Sequence, residues 1–303
     1  VPAAVPPELA GPLDRAVRAL FEVSWGKARG WIASGKVKVG DRVVTEPTYR
    51  VGAGEVVALD ERAPRPRAGA LADEQVVYVD THVLVVAKPA GISTIPYDER
   101  DVDTLESRAK AWLERRGRGK GGRGGAVPLG VVHRIDKETS GLVVFTRTWA
   151  AKQSLSSQFR HHTVHRRYLA LAHGDVKSAT VRTFLVENRG DGLRGSAKGA
   201  PPSGAREAIT HVERVLALKG ATLVGCRLET GRTHQIRIHM SESGHPLLGE
   251  RVYVRGFAGP VLEAPRLMLH AAELGFVHPA TERDVRWSLP IPDDMQAVID
   301  RLR

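Results

Sequence analysis

The run His133-Arg134-Ile135-Asp136-Lys137-Glu138-Thr139-Ser140-Gly141 sets two cations, two acids and two hydroxyls between apolar Val131-Val132 and apolar Leu142-Val143-Val144. A carboxylate held at the mouth of a sheet beside fixed cations can act as a nucleophile or a base. The same residue types also build a turn whose charges simply pair with one another, so this composition leaves both readings open. Further along, His234 and Arg237 stand three apart in a stretch predicted as a helix from Thr233 to Ser243, which would put them on one face. Tyr168 lies in a predicted strand. Its ring offers a flat face and its hydroxyl one polar contact, although a core tyrosine is the plainer reading.

These residues need a scaffold, and hydrophobic periodicity supplies one. Strands are predicted at Val76–Val79 and Val83–Ala87, followed by a helix over Leu105–Glu114. Residues 115–125 are almost wholly Gly, Arg and Lys, cannot bury a core and read as a mobile loop. Beyond it come a strand Leu142–Thr146, a helix capped near Thr148 and running to Arg160, and a strand Arg167–Ala172. Glu207–Leu218 and Ala221–Glu229 form a hairpin around Lys219-Gly220, after a polar, turn-rich interval from Asn188 to Gly204. Strands Glu273–His278 and Val285–Leu289 and a helix Asp293–Leu302 end the chain. Strands that cluster in this way imply an α+β fold with a mixed, largely antiparallel sheet.

The front of the chain reads as a separate small α+β module over residues 13–60. It has helices at Leu13–Phe21 and Trp25–Ser34, a stop at Gly35, and short strands at Val37–Val39, Val43–Val44 and Glu55–Leu59. Residues 1–12 are expected to be a tail and the Pro- and Arg-rich residues 61–72 a linker, leaving residues 73–303 as the larger domain.

With 303 residues and 42% hydrophobic content the chain can bury two cores, which excludes collagen-like, wholly disordered and mini-protein classes. A formal charge of +11 makes a polyanion the first partner to suspect. Cys226 is the single cysteine, so disulfide frameworks and thiolate metal clusters are out. No apolar run exceeds strand length, and no signal-like segment opens the chain, which together read as a cytoplasmic protein without membrane contact. His161 and His165 lack a third ligand, and His234, His239 and His245 lack a ligand period. No metal site is expected.

The stretch from His133 to Gly141 resembles the signature of the RluA-type pseudouridine synthases, His-Arg-Leu-Asp, two variable residues, then Thr-Ser-Gly. Ile135 replaces the leucine. Three more segments agree in order: Lys88-Pro89-Ala90-Gly91 after a strand, Arg167-Tyr168-Leu169-Ala170-Leu171, and Thr230-Gly231-Arg232-Thr233-His234-Gln235-Ile236-Arg237. Gly244-His245-Pro246-Leu247-Leu248-Gly249-Glu250 follows, with Glu250 where the family usually has Asp. Residues 13–59 resemble the small RNA-binding domain of the S-four ribosomal-protein type.

That resemblance implies isomerisation of uridine to pseudouridine in structured RNA, without cofactor or metal. It places Asp136 on the catalytic aspartate, Arg237 on the arginine paired with it, and Tyr168 on the tyrosine that stacks on the base. Adding to the base, attacking the sugar and taking a sugar proton are the chemistries open to the aspartate. Arg134 matches the arginine beside it that fills the space of the displaced base or meets its phosphates; a salt bridge to Glu138 is the plainer reading. Arg232 and His234 are further RNA contacts, and Lys88-Pro89 reads as structural. Lys27, Arg29, Lys36 and Lys38 are the RNA-binding candidates of the small domain, whose usual arginine before the second helix is replaced at Trp25. Large-subunit ribosomal RNA is the expected substrate and transfer RNA the alternative, with the protein acting as a monomer. A non-catalytic RNA-binding ribosome-assembly protein and an aspartate-based hydrolase are the competing classes; intact Asp136, Tyr168 and Arg237 speak against the first and the basic balance against the second.

Overall fold

The computed structural model describes residues 2–45, 47–63, 69–97, 101–118 and 128–303. The chain divides into two compact units, Val1–Gly69 with Ile95–Arg108, and Ala70–Thr94 with Ala109–Arg303.

In the smaller unit the order is β1 (Pro2–Ala4), β2 (Gly11–Pro12), α1 (Leu13–Leu20), α2 (Trp25–Ala33), β3 (Val37–Val39), β4 (Arg42–Val43), β5 (Arg50–Val51) and β6 (Val56–Leu59). Leu13, Ala16 and Val17 recur at helical spacing, and that stripe packs with Ala28, Trp31 and Ile32 of α2 in one buried cluster. Ser24 caps α2 by accepting the Lys27 N–H. Strands run in the order β1-β6-β3-β4, with β2 and β5 as a separate pair. Residues 2–12, within the expected tail, are therefore part of this fold. β1 pairs antiparallel with β6 and occupies what would otherwise be an open sheet edge, and Val5 is buried in the core. The segment 95–108, expected inside the larger domain, groups with this unit: Asp103 accepts the Gly69 N–H and holds Arg108 through both carboxylate oxygens. The expected linker also ends earlier, since Leu71 is buried; its residues 64–68 lie outside the described residues.

The larger unit contains β7 (Val76–Val79), β8 (Val83–Lys88), α3 (Leu105–Arg118, shared with the smaller unit up to Arg108), β9 (Gly130–Val131), β10 (Ser140–Thr146), α4 (Trp149–Arg160) and β11 (His165–His173). Then come β12 (Ala179–Val186), β13 (Gly195–Ser196), β14 (Arg206–Leu218), β15 (Ala221–Leu228), α5 (Gln235–Glu242), β16 (Leu269–Val277), β17 (Asp284–Ser288) and α6 (Asp293–Leu302). The sheet runs β13-β12-β14-β15-β11-β16-β10-β8-β7, with β9 on β10 and β17 on β16. Its β10–β16 pair is parallel and the other described pairs are antiparallel, the mixed and largely antiparallel sheet the sequence implies. Every residue of β10 is buried, as befits a central strand. Gly141 in it is obligatory: at φ +120° a Cβ would stand 2.3 Å from the Ala271 carbonyl oxygen. Helix α6 covers part of the sheet with Met295, Val298 and Ile299, and α4 packs Leu155 onto Val83, Val85, Leu142 and Val144.

Two elements depart from the sequence reading. β12 lies in a stretch without a clear period, because Phe184 faces outward and Thr183 is half-buried. α3 continues to Arg118 instead of ending at Glu114, so Arg115 and Arg116 are helical; the expected loop's residues 119–125 lie outside the described residues.

Candidate active site

Asp136 sits in the turn between β9 and β10, where its carbonyl accepts the Thr139 N–H. The turn is tied to the end of β8 at several points. Thr94 donates its hydroxyl to the Ile135 carbonyl and accepts the Ile135 N–H, while the Gly91 N–H reaches the Lys137 carbonyl. Lys88 is the firmest tie. Its buried ammonium donates to the carbonyls of Pro89, Ile92 and Lys137 at 2.9, 2.7 and 2.9 Å, using all three donors of the charged form. Burial drags its pKa down to about 7, against the pull of Glu138 and Asp136. Lys88 is thus structural, as the sequence reading holds, and what it supports is the aspartate turn.

Arg237 faces that turn from the first turn of α5. Its Nη1 lies 3.5 Å from Asp136, while Nε and Nη2 grip both oxygens of fully buried Glu250 at 2.7 and 2.8 Å. Burial works against the guanidinium charge, but the Glu250 and Asp136 carboxylates outweigh it and raise the Arg237 pKa. Glu250 is lowered in turn, Arg237 and the N–H groups of Val252 and Tyr253 overcoming the opposing effect of burial. Glu250, where the resemblance sets an Asp, thus pairs with Arg237 through two bonds.

The segment before α5 is fixed by Gln235. Its side chain accepts from the Thr230 hydroxyl and the Arg232 N–H, and donates to the Ile209 carbonyl and the Thr210 hydroxyl. His234 is not on the helix, contrary to expectation. It is the N-cap residue at φ +57°, and this left-handed turn directs its Nε2 to 3.9 Å from Asp136 and its Nδ1 to 2.8 Å from the Tyr253 hydroxyl. Burial lowers its pKa, against the pull of Asp136.

Tyr168 enters from β11. The register against β16 shifts between Arg167 and Tyr168 because β16 carries the extra residue Ala272, while β11 keeps its alternation and its unbroken register on β15. The ring is buried, and burial raises the phenol pKa. Asp136, Tyr168, Arg237, Arg134, Arg232 and His234 all line one cleft of about 460 Å³. Arg134 is exposed and makes no ion pair with Glu138 among the described residues, so the simple salt-bridge reading fails. Arg232 donates its Nε to the Glu207 carbonyl.

The cleft also contains groups to which the sequence reading gave no role. His133 stacks on Phe159 at 4.6 Å and accepts the Val144 N–H at Nε2; burial, with Arg166 nearby, pushes its pKa down to about 3. Arg166 lines the cleft two residues before Tyr168 on the same strand, and the period-two alternation of β11 was the signal for it. Cys226 is buried in β15, which pushes its thiol up to about 12, consistent with a small core residue. In the smaller unit Lys27 lies over Trp31, Arg29 pairs with Asp14 at 2.8 Å, Lys36 donates to the Glu61 carbonyl, and Lys38 is exposed.

Fold and cleft together define an RNA-modifying isomerase: residues 82–242 match the family described as RNA pseudouridylate synthase, and residues 11–57 match the S4 domain. The chain belongs to the RNA pseudouridylate synthase family, carries an S4 domain at its front, and converts uridine in RNA to pseudouridine. It is 35% identical to a protein of Zymomonas mobilis named ribosomal large subunit pseudouridine synthase D, over 96% of this chain and 93% of that one. A protein of the same name from Xylella fastidiosa is also 35% identical, over 96% of this chain and 88% of the other. Among solved structures, human RNA pseudouridylate synthase domain containing 4 shares the fold at a TM-score of 0.61 and 21% identity, covering 76% of this chain and 93% of that one.

Proposed function

We propose that this enzyme isomerises uridines of large-subunit ribosomal RNA, with Asp136 as its catalytic residue. In the reaction the bond from C1′ to N1 of uracil breaks and a bond from C1′ to C5 forms. A proton leaves C5 and N1 gains one, so substrate and product are isomers. Asp136 supplies the carboxylate, Arg237 sets a cation against it, and Tyr168 presents its ring to the base. A stacked uracil is out of reach of such a cleft, so the target nucleotide is flipped in or comes from a loop.

The observation that carries this reading is the Asp136 carboxylate 3.5 Å from an arginine already anchored by Glu250, in a cleft whose other lining charges, Arg134, Arg160, Arg166 and Arg232, are all cations. Arg134, Arg232 and His234 contact the RNA around the site, and Lys27, Arg29, Lys36 and Lys38 add contacts from the S4 domain. The substrate follows the names of the relatives. Among the described residues no helix is long and apolar enough to cross a membrane; we place the protein in the cytoplasm as a monomer.

The test is pseudouridine mapping of unmodified large-subunit ribosomal and transfer RNA transcripts after incubation with the wild-type protein and with Asp136→Asn. New pseudouridine in ribosomal RNA from the wild type and none from the variant is expected. Modification of transfer RNA alone would overturn the substrate, and turnover by Asp136→Asn would overturn the catalytic assignment.

A further inference from the structure

Arg166 is a buried guanidinium without a counter-charge. It is 8% exposed, and no carboxylate among the described residues pairs with it. Nη2 donates to the Glu229 carbonyl at 3.0 Å, and the group lies over the Phe159 ring at 5.7 Å. Nε is buried with no hydrogen-bond partner. Nη1 makes no hydrogen bond to a described residue and adjoins Gly231, where an added Cβ would stand 2.5 Å from it. A side chain at 231 would crowd this end of the guanidinium, and glycine leaves it open.

Among the described residues lining the cleft, Asp136 is the one carboxylate, and it faces Arg237. Arg237 is matched by Glu250 and Asp136, but Arg134, Arg160 and Arg232 line the same space and have no carboxylate partner among the described residues. Burying a cation unpaired is costly, and a protein that keeps one at a substrate cleft is arranged for a ligand that brings the missing charge. A uracil carbonyl would accept a hydrogen bond but bring no charge. A phosphodiester brings a full negative charge and two free oxygens, which suit the planar fork of an arginine.

We propose that Arg166 is a phosphate-binding residue of the cleft, receiving a phosphodiester group that adjoins the target nucleotide when it enters. This rests on the reading of the cleft as the uridine site. Arg166 and Tyr168 leave β11 on the same face, so one strand presents a base-stacking ring and a phosphate donor side by side.

The test compares uridine 3′,5′-bisphosphate with uridine as competitors for RNA binding to the full-length wild-type protein and to Arg166→Gln. Wild type should bind the bisphosphate at least about tenfold more tightly than uridine, and Arg166→Gln should cut that preference by about tenfold, the loss of one charge-assisted contact. An unchanged preference in the variant overturns the proposal. So does a wild-type preference near one, which requires no variant to fold. If wild-type protein makes no pseudouridine in the transcript assay, the reading of the site fails instead; pseudouridine formation with an unchanged preference removes only the role of Arg166.

Discussion

Glu250 grips Arg237 through two bonds at 2.7 and 2.8 Å, whereas the Arg237–Asp136 contact is a single approach at 3.5 Å. The arginine is therefore anchored from behind and offered to the aspartate. Glu250→Gln keeps the shape but removes the charge that holds Arg237, leaving a buried guanidinium with Asp136 as its remaining carboxylate. Breaking a buried pair in this way costs about 3–5 kcal/mol. Urea unfolding should show a loss of that order, and single-turnover kinetics a fall in kcat larger than the rise in KM. A variant as stable and as fast as wild type would show that Asp136 does not depend on this anchor.

Tyr168→Phe separates ring from hydroxyl. The hydroxyl makes no hydrogen bond to another described residue, so its removal should change stability by no more than about 0.5 kcal/mol. RNA affinity should stay near normal, because the ring is retained, while turnover falls at least about tenfold. An unchanged rate would confine Tyr168 to packing and stacking.

Lys88→Met tests the support of the aspartate turn. The substitution leaves the Pro89 and Ile92 carbonyls without the ammonium, while the Lys137 carbonyl keeps the Gly91 N–H. Unpaired buried carbonyls cost about 1–3 kcal/mol each, and removal of a desolvated charge offsets part of that, so a net loss of about 1–3 kcal/mol is expected. A turn released from β8 holds Asp136 less well, so kcat should fall at least about tenfold with KM within about threefold. Wild-type kcat in a destabilised Lys88→Met would separate the turn's stability from its catalytic geometry.

The motif segments and most strands were legible in the sequence because both rest on local pattern: alternation of apolar residues, glycine at turns, and residue types in fixed order. The pairing of Asp136 with Arg237 was legible only through family resemblance, since about a hundred residues separate the two and spacing says nothing about such distances. Glu250 was visible as a position but not as an anchor, for the same reason. β12 was missed because Phe184 turns outward and Thr183 faces His239, reversing the alternation a half-buried strand should show. His234 was placed on a helix because residue spacing cannot reveal a left-handed turn at a non-glycine residue.

Acid stability is set by histidines that the fold keeps neutral. Burial pushes His133 down to about 3, with Arg166 adding to it, and pushes His239 and His270 down to about 4. Each is used as a neutral ring: His133 accepts the Val144 N–H, His239 lies between the Thr183 and Thr210 hydroxyls, and His270 meets the Ser140 hydroxyl. In the unfolded chain a histidine takes up its proton near pH 6.5. Between that pH and the folded values the unfolded state binds more protons, so the stability these histidines contribute is complete above about 6.5 and falls as the pH drops toward 4. The slope reaches at most about 1.4 kcal/mol per pH unit for each histidine. Carboxylates add their own loss only lower: Glu273, which hydrogen bonds from Arg286 and His165 bring down to about 2 against the opposing effect of burial, matters below about pH 4.5. Urea midpoints measured between pH 4.5 and 6.5 should therefore decline as the pH falls, while above about pH 7 Lys88, at about 7 in the folded protein and about 10.4 in the unfolded chain, makes stability rise further with pH. Replacing His239 by Gln, which can bond both threonines without titrating, should reduce that decline. A flat profile down to pH 4.5 would mean that these rings accept protons in the folded protein as readily as in the unfolded chain.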